Sequence, residues 1–332
     1  MKFALKTLVA AVAVVAAGGA FATQASGTVG QAVTVKDPGT SGRSVTLTLQ
    51  SGTGTLAFSN GNGDPINGAN PTSSVAGLVG ALNVANVVMT PVDGAKINEV
   101  ILPVGGRVKT PTRALVSIDA AVTKLTADID GATAGRFTTV NATGGAIQTA
   151  AFLANVLEGG TAKINNLEID LVNKKVYADA LGNAGTAFEN SKPRLAIWTF
   201  DSITGPTTLS PASLLAAADG NTSKLLADGF KLEGQTGTGR NTIYSLSTTN
   251  IIGGLKATTD GFNFFADALG LTTGSVGYNT LLAVNTTAEG WGSMKSYIKF
   301  TAQEAIPEPS TYALMGLGLV GISLVARRRA AK

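Results

Sequence analysis

The segment Ser44-Val45-Thr46-Leu47-Thr48-Leu49-Gln50 alternates apolar and polar side chains, the period of a strand that buries one face. Val45, Leu47 and Leu49 are expected inward and the Thr side chains outward; Thr favours strands, so pattern and propensity agree. The same period recurs from Arg113 to Asp130, with Val116, Ile118, Ala120 and Val122 on one side. Arg136 to Val140, a turn over Asn141 to Gly145, and Ala146 to Thr149 read as a hairpin. Strands over Asn166–Leu171 and Val176–Asp179 flank a polar turn at Val172 to Lys175. Leu167, Ile169 and Leu171 then share one face, leaving Glu168 and Asp170 together on the other, near Lys174 and Lys175. Leu195 to Phe200 predicts a further strand, ended by Asp201 and a Gly205-Pro206 turn. Met294 to Thr301 predicts the last, with Met294, Ser296, Ile298 and Phe300 opposite Lys295, Tyr297, Lys299 and Thr301.

Helical patterns are fewer and short. Val75 to Val88 and Ala150 to Leu157 are apolar runs placed as helices. Ser210 as N-cap, with Pro211 in the first turn, opens a helix through Ala218 that Gly220 closes. Asp260 to Leu269 carries Phe262, Phe264 and Phe265 and ends at Gly270. These elements predict a mainly β protein with a few short helices, its sheets antiparallel and sandwich-like, in one or two β-rich units. Gly159-Gly160 is the best candidate boundary, separating residues 23–160 from 161–305.

Composition narrows the chemistry. The 332 residues include no Cys and no His. This excludes Ser-His-Asp and Cys-His pairs, His or Cys zinc sites, thiolate iron-sulfur sites and disulfides. Only 14% of residues are charged, against roughly 25% in soluble domains, and the 41 Gly exceed the usual share of roughly 7%. That is the composition of a turn-rich, extracellular β chain. The net charge of +4 raises nucleic acid or anionic membrane as partners. However, six of the 25 basic residues (Lys2, Lys6, Arg327, Arg328, Arg329 and Lys332) and one of the 21 acids (Glu308) lie at the two ends. Residues 26–306 therefore carry about −1, and no nucleic acid partner is expected.

The ends read as addresses. Lys2 and Lys6 precede an apolar run from Leu8 to Ala17 and then Ala20-Phe21-Ala22, an A-x-A site. Residues 1–22 are thus expected to be a signal peptide that signal peptidase cuts after Ala22, or failing that after Ala25. Residues 306–332 contain Pro307-Glu308-Pro309-Ser310-Thr311, an apolar segment to Ala326 and Arg327-Arg328-Arg329. The Pro-Glu-Pro turn ends any strand, the apolar segment seeks lipid, and the Arg cluster holds its far end on the cytoplasmic side. This order resembles the PEP-CTERM sorting signal of Gram-negative bacteria. The resemblance covers the tail alone and implies processing by a membrane-embedded exosortase, with the chain held in the membrane through this segment beforehand. The segment is short for a full span.

Several motifs are weaker than they look. Gly316 to Gly321 fits G-x-G-x-x-G but lies within the lipid-seeking tail. Gly52 to Ala57 has similar spacing without a following helix, and in Gly234 to Gly239 the next residues are Arg240-Asn241, not Lys-Ser/Thr. The latter two are expected to be turns. Asn60 to Pro65 has the small oxygen donors of a calcium loop but a single carboxylate, and reads as loop. Tyr177, Tyr244, Tyr278, Trp291 and Tyr297 are the candidates for stacking on sugars.

The expectation is a non-catalytic secreted or cell-surface protein without a cofactor, part of the envelope or an exopolysaccharide matrix, with exopolysaccharide or matrix proteins as partners. The alternative is a secreted hydrolase of polysaccharide using paired carboxylates such as Glu168 and Asp170, which requires two of them in a cleft roughly 5 to 10 Å apart.

Overall fold

Most of the alternating segments are longer strands than their patterns alone imply. A computed structural model describes residues 22–39, 42–61, 77–102, 104, 111–183 and 190–305. Its strands are β1 (Gln24–Thr28), β2 (Ala32–Lys36), β3 (Ser44–Phe58), β4 (Val88–Val92), β5 (Lys96–Leu102), β6 (Thr112–Asp128), β7 (Phe137–Ala150) and β8 (Gly160–Asp170). They continue with β9 (Lys175–Asn183), β10 (Asn190–Thr199), β11 (Ser202–Thr204), β12 (Lys231–Thr236), β13 (Ile243–Gly253), β14 (Lys256–Ala257) and β15 (Gly292–Glu304). The helices are α1 (Gly77–Val84), α2 (Pro211–Ala218), α3 (Ser223–Ala227), α4 (Thr259–Ala268) and α5 (Val276–Thr286).

All fifteen strands join one antiparallel sheet with the path β11-β13-β15-β3-β6-β7-β8-β9-β10-β14. The mainly β class with short helices is therefore observed, and the sheet curls into a half-barrel. The curl follows from strands that leave one neighbour for another. β3 pairs with β2 over Ser44–Thr48 and with β6 over Thr53–Ala57, and the hairpin β1–β2 fills the wedge where β3 and β6 part, β1 running along Lys124–Asp128 of β6. At the opposite end β4–β5 fills the wedge between β6 and β7. The two extremes of the path meet through short crossings. Ser202 pairs with Gly253, and Thr199 with Lys256 only three residues further on, so β10 and β13 are drawn together at one end. The sheet also runs across Gly159-Gly160, because Ala150 at the end of β7 pairs with Gly160 at the start of β8.

Some expectations change for local reasons. The hairpin expected around Asn141 to Gly145 is instead one strand, β7, with a register shift between Ala142 and Gly145. Gly144 has φ +111°, and a Cβ on Gly145 would stand 1.9 Å from the carbonyl oxygen of Ile164. The glycines therefore make a bulge that bends the strand rather than reversing it. Gly52 to Ala57 is not a turn but part of the second half of β3, where a Cβ on Gly52 would lie 2.7 Å from Cβ of Val122. Ala150 to Leu157 is not helical; Leu153 and Leu157 form an isolated bridge in the loop after β7. The helix expected over Val75 to Val88 is α1, and Val88 already belongs to β4. The strands ending at Asp170, Thr199 and Glu304 and the helices α2 and α4 stand where the pattern puts them, although the Ser210 side chain makes no cap hydrogen bond.

Helices cover one part of the concave face. α4 packs on β8, β9 and β10, while α1 packs on β3, β6 and α5. Arg113 fixes the C-terminal end of α1 by donating to the carbonyl of Leu82 in its last turn, to Asn83 Oδ1 and to the carbonyl of Val87 just beyond the helix; Leu82 O also accepts from Val87 N. No helix among the described residues is long and apolar enough to cross a membrane.

Candidate functional site

The inner face of the curled sheet alternates large and small side chains. Leu56, Ile118, Ile164, Ile169, Met294 and Ile298 project among Gly54, Ala120, Ala142 and Ala146, and together they surround a hollow of about 80 Å³. A strap crosses its open side. Thr204 pairs with Ile251 of β13, Thr207 accepts from Phe137 N, and Leu209 N donates to Gly135 before β7. Ile203, Pro206 and Thr207 of this strap, with Leu167 and Leu171, are partly exposed wall residues.

Aromatic rings close the inner end. Trp198 of β10 stacks on Phe265 of α4 at 6.3 Å between centroids, and Trp291 meets Phe265 at 4.8 Å. Trp198 is 2% exposed, and its indole N–H has no hydrogen-bond acceptor. Beyond these rings lies a second hollow of about 50 Å³, walled by α1, α5 and the end of α4. Among the described residues, no Asp or Glu lines either hollow.

The residues singled out in the sequence separate in space or find structural partners. Glu168 accepts from Arg194 at 2.6 Å, not from Lys174 or Lys175. Asp170 is occupied by the turn that follows it, accepting from the backbone N–H of Val172 and Asn173 and from Asn173 Nδ2. Arg194 reaches Glu168 because β10 has a register shift between Lys192 and Leu195; Pro193 inside a strand is the sequence signal for such a bulge. The guanidinium lies 4.0 Å from the Tyr177 ring centre, and its pairing with Glu168 raises its already high pKa. Of the sugar-stacking candidates, Tyr244 and Trp291 are core residues, 3% exposed each. Tyr278 packs edge-on against Phe262. Tyr177 and Tyr297 remain on the outer side, with four strands between theirs along the sheet path. In the calcium-like stretch, Asn60 is buried and donates to Ala114 O; residues 62–65 lie outside the described ones.

The most strongly coupled charges sit where the last strand ends. The Glu304 side chain is fully buried. It accepts from Arg43 Nε at 2.8 Å and Nη2 at 2.7 Å, and from Arg240 Nε at 2.9 Å and also Nη2. Arg43 also reaches Asp219 with Nη1 at 2.9 Å and Nη2 at 3.1 Å. Hydrogen bonds from Arg43 first and Arg240 second hold the Glu304 carboxyl down to about 2. This cluster ties together the start of β3, the end of α2, the turn before β13 and the end of β15, and Ala305 N adds a bond to Ser44 O at 2.7 Å. Arg240, which spoils the phosphate-loop reading of Gly234 to Gly239, has this structural task. Sequence alone gave no sign of the cluster, whose members are as much as 261 positions apart.

The chain beyond this clamp decides its destination. Residues 305–329 match the PEP-CTERM protein-sorting motif. The sorting tail thus begins one residue after Glu304, and it marks an exported protein of the cell envelope or surface that exosortase processes. Pro307, Glu308, Pro309, Ser310 and Thr311, Arg327, Arg328 and Arg329, the apolar segment between them and the glycine run Gly316 to Gly321 all lie outside the described residues, as does Ala20 of the signal cleavage site; Ala22 is the first residue described. A search of curated proteins finds no match to the chain.

Proposed function

We propose that this protein is a non-catalytic component of the cell envelope or exopolysaccharide matrix, its folded β unit carried outward on the sorting tail. The observation that carries the reading is the match at residues 305–329, joined directly to the Glu304 clamp. A tail rooted in a buried, doubly paired carboxylate can be pulled or cut without unravelling β15, which suits a folded body delivered intact. The carboxylates singled out for hydrolysis have structural partners. Glu168 and Asp170 are held by Arg194 and by a turn, and among the described residues neither hollow has the pair of acids that glycoside hydrolysis requires.

The test is co-sedimentation of the purified protein with exopolysaccharide matrix extracted from the native cell, with a parallel assay for newly released reducing ends. Retention in the pellet with no new reducing ends is expected. A protein left in the supernatant overturns the matrix role, and release of sugar ends overturns the non-catalytic reading.

A further inference from the structure

Tyr297 stands among small side chains on the outer face of the sheet. It pairs with Thr249 of β13 and Thr53 of β3, and the row continues through Ala121 of β6 to Thr143 of β7. All five residues are exposed, Tyr297 by 36%. Neighbouring strands lie about 4.8 Å apart, so the row forms a shelf roughly 20 Å wide from which the phenol ring projects. Along β15 the ring lies between two cations. Lys295 and Lys299 share its face and are exposed, and four residues of strand set them about 13 Å apart. Lys299 Nζ is 5.6 Å from the Tyr297 ring centre. Among the described residues, neither lysine forms an ion pair. Glu233 and Asp119, on strands to either side, are occupied. Glu233 lies 3.0 Å from Lys231 and accepts from Ser247 at 2.7 Å, and Asp119 accepts from Thr55 at 2.6 Å and from Asn98 at 2.9 Å. Residues 26–306 carry about −1 in total, so the two ammonium groups stand out as a local attraction for anions.

We propose that this shelf binds an acidic polysaccharide, one sugar ring lying against Tyr297 and carboxylates of flanking sugars meeting Lys295 and Lys299. The phenol ring offers an apolar face to the C–H side of a sugar, the ammonium groups make charge-assisted hydrogen bonds to carboxylates, and the hydroxyls of Thr53 and Thr249 are donors and acceptors for sugar hydroxyls. The small side chains of the row leave a flat approach for an extended polymer. Each contact is exposed and weak, screened by salt, and a repeating polymer strengthens the whole by presenting the same groups many times. The proposal rests on the matrix role for the presence of a polysaccharide, and goes beyond it in naming the charge of that polymer and the face that meets it.

Polygalacturonate is the probe, with its methyl ester as the same backbone without charge and polyglutamate as the same charge without sugar rings. Each is titrated into the full chain by calorimetry. Saturable binding of polygalacturonate that weakens with added salt is expected, and weaker binding of the other two. The double variant Lys295→Gln, Lys299→Gln is expected to bind polygalacturonate about tenfold less tightly. Tyr297→Ala should lose about fivefold, and Tyr297→Phe, which keeps the ring, should lose nothing. Absence of saturable binding, polyglutamate bound as tightly as polygalacturonate, or variants that bind as the unsubstituted chain does, overturns the proposal. If Tyr297→Ala fails to melt cooperatively, the double lysine variant decides alone. Co-sedimentation with native matrix separates this proposal from the matrix role. Variants left in the supernatant while the unsubstituted chain pellets support it, whereas variants that pellet equally overturn the face and leave the matrix role standing. An unsubstituted chain that stays in the supernatant overturns the matrix role, and the polygalacturonate titration then decides the face.

Discussion

Replacing Glu304 by Gln removes one charge from between two guanidinium groups while keeping the shape of the side chain. In the folded chain the carboxyl is held from an ordinary 4.5 down to about 2; at about 1.4 kcal/mol per pKa unit, that difference corresponds to about 3 kcal/mol of stability at neutral pH. The Arg240 side chain is 58% exposed, so solvent screening reduces the expected loss for Glu304→Gln to about 2 kcal/mol. For a fold of this size that is a fall in Tm of roughly 3–4 °C. The sign follows from the lowered pKa. The contribution is fully present above about 4.5, where the unfolded carboxylate is ionised, and disappears as pH falls through the folded value of about 2. Urea titrations of both proteins at several pH values measure it directly. Their stabilities should differ by about 2 kcal/mol at pH 7 and converge as the pH falls from about 4.5 toward 2. A gap of the same size at both ends of this range, or no gap at pH 7, would refute the electrostatic account of the clamp.

Other consequences follow from single contacts. Arg113→Ala removes the donor to the Val87 carbonyl and leaves the Leu82 carbonyl with Val87 N alone; a loss of about 1–3 kcal/mol is expected, with hydrogen exchange accelerated in α1 and unchanged in β13. Gly145→Ala should destabilise by about 3 kcal/mol or more, read from the urea midpoint, since its Cβ would sit 1.9 Å from the Ile164 oxygen. Arg194→Ala should cost less than about 1 kcal/mol, because its pair with Glu168 is largely solvated; a larger loss would give that pair a role beyond the surface. N-terminal sequencing of the exported protein should begin at Thr23. Its N donates to Asp130 at 2.7 Å, a bond that lowers the Asp130 pKa, and its O accepts from Ile129 N. A start at Ser26 would instead delete Gln24 and Ala25 from β1.

The strands were legible wherever one face is buried and the other wet. Ser44 to Gln50 and Met294 to Thr301 alternate because each lies in a sheet with one apolar side, and their inward residues are those the pattern names. The Asn141 to Gly145 stretch misled because two glycines make a turn and a bulge look alike. What distinguishes them is the partner strand, where Ile164 crowds Gly145. Ala150 to Leu157 is apolar enough for a helix, yet its backbone is used in a Leu153–Leu157 bridge. The candidate site was less legible than the fold. Trp198 reads as core and is core, but nothing in its neighbourhood of sequence indicates that Ala142, Ala120 and Gly54 will face it across an incompletely filled interior.

The destination of this protein was written in its sequence alone, because a sorting tail is a local string of residues, Pro307 to Arg329, recognised without reference to the fold. The same holds for the exclusion of thiol and imidazole chemistry, which follows from the absence of Cys and His. The clamp and the hollow were decided only by tertiary structure. Glu304, Arg43 and Arg240 meet because β15 runs antiparallel to both β3 and β13, and the hollow exists because small residues from separate strands converge when the sheet curls. Such convergence depends on long-range pairing register, and no periodicity along one strand contains that information.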